Sequence, residues 1–281
     1  MESFRNDISD NLNITISGNQ MTESIGKLLS VMETICQREG LHFFAFGDLL
    51  VYGVHYHTLP DYCWDDVYEV GMLRKDYERF IRNAEKYADE LNFQVRTTPV
   101  GDKRKKHRSP YFYIEQKVVI KAENVELENW ISLRVSPFDK VPMAADTRIA
   151  FYRKTERKNR CLRRIVGQKE YVAVNGKSFI KFGLKQLLYG FRSSEKAYGR
   201  LNQLAQKYNH TDSVFYQRVV GKKTKIINEI QLFPLQETLL GQKSMPIPFD
   251  VTPWTDLDME QYRRESEALH PVELEILEEM E

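Results

Sequence analysis

Residues 47 to 69 carry the side chains most suited to chemistry. A glycine turn, Gly47-Asp48, precedes a carboxylate-bearing stretch with Asp65, Asp66 and Glu69. A turn at glycine lets backbone N–H groups approach a phosphate, and clustered carboxylates hold the divalent ion that neutralises it. Together they point to metal-assisted phosphoryl chemistry. The demand is convergence, because Mg²⁺ takes oxygen ligands at about 2.0–2.1 Å. In a regular strand over 65–72, Asp65, Val67 and Glu69 share one face, and Asp65 and Glu69 stand roughly 13 Å apart. They do not chelate one ion that way. A bulge at Asp66-Val67 would turn Asp66 onto the Glu69 face. Asp48 could add a carboxylate from the neighbouring strand end, giving a metal and catalytic set of Asp48, Asp66 and Glu69. The alternative leaves Asp65 and Asp66 as an ordinary charge pair at a strand edge.

The elements that must position these groups read as follows. Ile25, Leu28, Leu29, Met32, Ile35 and Cys36 recur at helical spacing, predicting an amphipathic helix over 22–39 with Thr22 as cap and Gly40 as stop. Cys36 lies in that stripe and reads as a core thiol. An apolar strand over 41–46 leads into the glycine turn and a helical turn from Leu49. The acidic strand 65–72 is followed by a helix over 74–91, whose apolar side carries Tyr77, Phe80, Ile81, Ala84, Tyr87, Ala88 and Leu91. Strands follow over 93–98 and 111–120. Further on, helices are predicted over 144–166, 179–189 and 194–208, then strands over 214–219 and 226–233.

Gly47, Leu49-Leu50, His55, Pro60, Trp64-Asp65-Asp66, Gly71-Met72, Arg74 and Asp76-Tyr77-Glu78-Arg79-Phe80 together resemble the LicD family. These are phosphotransferases distantly related to fukutin-type proteins. Trp130–Pro142, with Pro137, Asp139 and Pro142, resembles a second landmark of that family. The resemblance implies an α/β fold of the nucleotidyltransferase (polymerase-β-like) type, a mixed sheet covered by helices, with a mostly helical second region. It implies transfer of a phospho-alcohol such as phosphocholine from a CDP-activated donor onto a cell-surface glycan, of lipopolysaccharide or capsule, with Mg or Mn as cofactor. Gly47, His55, Lys117, Arg134 and Arg74 are the substrate-binding residues it suggests. Lys117 reads either as an inward phosphate partner or as an exposed strand residue.

Three departures stand out. Asp48 replaces the family's Thr or Ser after the glycine, and Asp61-Tyr62-Cys63 are inserted after Pro60. The two metal-binding carboxylates fall at Val67 and Glu69, and the third acidic position is Arg134. Two outcomes stay open. The site is rebuilt around Asp48, Asp66 and Glu69, with Lys117 and Arg134 on phosphate. Otherwise Arg134 pairs with Glu69, and the chain is a non-catalytic relative that binds a glycan, a nucleotide or a partner enzyme.

The chain has 281 residues, 42% of them hydrophobic, enough for one sizeable core. The expected division is a loose arm over 1–20, a core over 21–142, a helical and acceptor-side region over 143–255, and an acidic tail over 256–281. Net charge is +1, so no global field argues for nucleic acid. The basic stretches lack interleaved stacking aromatics, which also argues against it. These stretches, 102–108 and 153–164, read as solvated surfaces or as contacts to an anionic substrate or the inner face of a membrane. Three widely spaced cysteines, no signal-like start and no long apolar run predict a cytoplasmic protein without a transmembrane segment. His55, His57 and Cys63 lack a fourth ligand for zinc. There is no P-loop pattern and no motif for a nucleophilic triad.

Overall fold

The computed structural model describes residues 18–59, 68–96, 112–122, 125–170, 193–219 and 226–255. The first helix, α1 (Gly18–Glu39), begins before the expected Thr22. Its predicted stripe is buried: Ile25, Leu28, Leu29, Met32, Ile35 and Cys36 all lie in the core. It stops at Gly40, whose φ of 58° opens the left-handed region, and the Leu41 N–H donates back to the Cys36 carbonyl at 2.8 Å. Burial, with Asp76 and Glu33 adding to it, pushes the Cys36 thiol pKa up, as suits an inert core thiol.

A short strand, β1 (Phe44–Phe46), runs into Gly47 and α2 (Asp48–His55). Then come β2 (Tyr68–Leu73) and α3 (Arg74–Asn83), which continues as a 3₁₀ turn, Ala84–Tyr87, instead of reaching Leu91 as one helix. Three more strands follow: β3 (Gln94–Arg96), β4 (Phe112–Ala122) and β5 (Val125–Lys140). The sheet order is β1-β2-β5-β4-β3. Among the described strands only β2 and β5 pair in parallel, with Glu69 opposite Arg134 and Met72 opposite Pro137; the other neighbours are antiparallel. The protein is therefore mixed α/β, with a mixed sheet and helices packed on it.

Period-2 alternation divides the sheet into two unlike faces. Ala45, Tyr68, Val70, Met72, Phe112, Ile114, Leu133 and Val135 point into the main core, which α1 and α3 cover. On the other face stand Phe44, Phe46, Glu69, Gly71, Tyr113, Glu115, Ser132, Arg134, Ser136 and Phe138, as the strand register requires.

Beyond residue 142 the chain returns to this framework twice. After α4 (Ala145–Glu170) and α5 (Ser194–Ala205), strand β6 (Phe215–Gln217) pairs with the end of β5, placing Gln217 opposite Asp139. Strand β7 (Ile226–Asn228) pairs with β6, and Asn228 then caps the single turn α6 (Glu229–Leu232) in a capping box with Gln231. Tyr216, Ile227 and Leu232 cover the rings of Phe44, Phe46 and Phe138. Next is a hairpin, β8 (Gln236–Leu240) and β9 (Lys243–Ile247). Its Leu240, Met245 and Ile247 enter the same core as Ile25. The last described turn is α7 (Thr252–Thr255). Residues 18–20 of the expected loose arm open α1 instead; the rest of that arm, the basic loop 102–108, the helix expected over 179–189 and the expected acidic tail lie outside the described residues.

Candidate functional site

The polar face of the sheet converges on Glu69. Parallel pairing of β2 with β5 puts Arg134 directly beside it, and Ser136 is the next residue of β5 on the same face. A third element supplies Arg218, immediately after β6. One Glu69 oxygen, Oε2, accepts from Arg134 Nη2 at 2.6 Å and from Arg218 Nη1 at 2.5 Å. The other, Oε1, accepts from the Ser136 hydroxyl. The Arg218 guanidinium also lies 4.5 Å from the centre of the Phe46 ring.

Glu69 and Arg218 are withdrawn from solvent, with side chains 4% and 6% exposed, while the Arg134 side chain keeps 12% of its surface in solvent. Burial alone would raise the Glu69 pKa. The attraction and hydrogen bonds of Arg134 and Arg218 outweigh that and hold it at about 2. Glu69 is therefore held in its charged form between two guanidinium groups.

Gly47 completes the site. Its φ of 59° and ψ of −134° suit glycine, and a Cβ there would lie 3.6 Å from that of Glu69. Asp48 opens α2, half-buried, beside the helix N-terminus that favours a carboxylate. Farther along the same face a second ion pair forms. Arg96 Nε donates to Glu115 Oε1 at 2.6 Å, the Ser132 hydroxyl donates to the same oxygen, and the Arg96 guanidinium lies 4.1 Å from the Tyr113 ring centre.

The structure brings Gly47, Glu69 and Arg134 together. Of the two relations open for Arg134, the ion pair with Glu69 is present. His55 is not in this group: it is exposed at the far end of α2, roughly 12 Å from Gly47 at 1.5 Å per residue. Lys117 shares the sheet face but is exposed and pairs across to Trp130, roughly 13 Å along β4 from Tyr113.

Arg74, expected on substrate, is occupied otherwise. Its Nε and Nη2 both donate to Asp139, each at 2.7 Å, in a buried bidentate pair that ties the start of α3 to the end of β5. Asn209 donates to the same carboxylate. Asp65, Asp66 and Val67 lie outside the described residues.

The sequence reading missed Arg218 and Ser136. Ser136 follows once β5 is paired with β2, since it shares a face with Arg134. Arg218 gives no local signal, being 149 residues from Glu69.

A divalent ion fits this arrangement poorly. Both Glu69 oxygens are engaged, and two guanidinium charges occupy the space where a cation would sit. No family model matches the chain, and no curated protein or solved structure matches it either.

Proposed function

We propose that this chain is a LicD-like protein with a nucleotidyltransferase-type core that binds a phosphorylated ligand without transferring it. The ligand class is a CDP-activated alcohol or a phosphorylated glycan, taken on the sheet face beside Gly47. Arginines, not a divalent ion, answer its charge. The observation that carries this reading is Glu69 clasped between Arg134 and Arg218, where the resemblance puts a metal-binding carboxylate. Guanidinium groups are strong, planar partners for phosphate oxygens. The guanidinium groups and the glycine turn favour such an anion. Arg96, about one-third exposed on the same face, is paired with Glu115 and adds polar rather than net cationic surface.

Calorimetric titration with CDP-choline, with and without Mn²⁺, tests the proposal. Binding should be the same in both conditions. Arg134→Ala should weaken it by roughly tenfold or more, the loss of a charge-assisted hydrogen bond. Mn²⁺-dependent binding lost in Glu69→Ala would overturn the proposal in favour of the transferase, with its metal site rebuilt from Asp48, Asp66 and Glu69. Absence of binding to CDP-choline and to phosphorylated glycans would reject both readings.

A further inference from the structure

One feature outside this site has no role in it: the outer face of α4. The helix buries Phe151, Thr155, Asn159, Leu162 and Ile165, and Leu162 packs with Leu201, Ala205 and Val219. Its solvent side carries Arg153, Lys154, Arg157, Arg160 and Arg164. At 100° per residue these five fall within an arc of about 120°, and Arg153 to Arg164 spans about 17 Å.

Among the described side chains of α4, two acids stand near this row. Glu156 is half-buried at the edge of the face, 3.4 Å from Arg163 and 3.8 Å from Arg160. Asp146 sits in the first turn, where the helix dipole favours it. Arg148 belongs elsewhere, donating to the Pro142 and Met143 carbonyls and lying over the Phe215 ring. At the N-terminal end of the cationic row stand two exposed apolar side chains, Met143 and Ile149.

We infer that this face docks the protein peripherally on an anionic lipid bilayer. A straight row of bases matches a plane of lipid phosphates, each Lys or Arg adding to the attraction. Met143 and Ile149 supply apolar groups for the headgroup boundary, as an interfacial helix does. A nucleic acid fits less well, because the arc holds no aromatic side chain on which bases could stack. The whole chain carries only +1, so the attraction is local and sets an orientation.

Co-sedimentation of the full chain with vesicles tests this. It should pellet with phosphatidylcholine vesicles containing phosphatidylglycerol, not with phosphatidylcholine alone, and added salt should release it. The triple variant Arg153→Glu, Arg157→Glu, Arg164→Glu should lower partitioning at least about tenfold, with an unchanged far-UV spectrum. Ile149→Asp should lower it severalfold at constant basic charge. If the glutamate variant does not fold, glutamine at the same three positions should give a smaller loss in the same direction. No binding to anionic vesicles, or a folded triple variant that pellets like the parent, overturns the inference. Salt-sensitive binding to single-stranded RNA with none to vesicles overturns it in favour of a nucleic acid. CDP-choline titration of the triple variant keeps the two proposals separate, since those residues lie outside the Glu69 site.

Discussion

Glu69 is the residue on which chemistry and stability both turn. A carboxylate this deeply buried is tolerated because two guanidinium groups and a hydroxyl satisfy it. Its folded pKa of about 2 lies below the ordinary 4.5, so the folded state holds the charged form more tightly than the unfolded state does. The resulting stabilisation is fully present above pH 4.5 and disappears as pH falls through about 2. Urea midpoints measured across that window should fall in the parent and fall less in Glu69→Gln. At neutral pH, Glu69→Gln should cost about 3–5 kcal/mol, because two buried arginines lose their anion. A midpoint shift near zero would mean that the arginines find another counter-charge.

At the scale of elements, the packing of β1 against β2 and β5 depends on a missing side chain. A Cβ on Gly71 would sit 2.4 Å from the Phe44 ring and 2.7 Å from the Phe138 ring. Those two rings meet edge to face at 5.1 Å, and both are buried. Gly71→Ala should therefore destabilise by about 1–3 kcal/mol, read from thermal or urea unfolding. Adding Phe44→Leu should recover part of that loss; purely additive losses would argue against the clash. Gly71 was visible in the sequence only as part of the Gly71-Met72 landmark. Its packing reason appears once Phe44 is opposite it in the register. Elements with strong periodicity, such as α1, were legible because burial follows the apolar pattern; the strand β5 was not, since Trp130–Pro142 showed only as a landmark. The split of the 74–91 helix was not, since nothing between Asn83 and Ala84 breaks the apolar spacing. The β8–β9 hairpin was missed although Gly241, at φ 65°, marks its turn; Pro246 inside β9 counts against a strand there. Long-range pairs such as Arg74 with Asp139 and Glu69 with Arg218 have no local signature. They are fixed only when the topology brings distant segments together.

At the scale of the molecule, the segment after residue 142 completes the structure that precedes it. Strand β6 extends the sheet and delivers Arg218 to Glu69. Tyr216, Ile227 and Leu232 close the aromatic end of the polar face. The hairpin places Leu240, Met245 and Ile247 in the main core, and its Thr238 hydroxyl donates to the Gly53 carbonyl at 2.9 Å. Lys243 reaches back to Ser30 and Glu33 of α1. Tyr198 of α5 stands beside Tyr77 of α3, whose hydroxyl pKa burial and this neighbour push up. A chain ending at residue 142 would lack all of these. It would expose the rings of Phe44, Phe46 and Phe138 and leave Glu69 with one arginine instead of two. Such a fragment should show no cooperative thermal transition, and its amides over α1 and β2 should exchange near the rate of an unfolded chain. Supplying residues 143–281 in trans should restore protection in both elements if the two pieces associate as they do in the intact chain. A fragment that melts cooperatively near the midpoint of the full protein would instead make the first 142 residues an autonomous core. The later strands would then be additions to a finished fold, and the placement of Arg218 a matter of function alone.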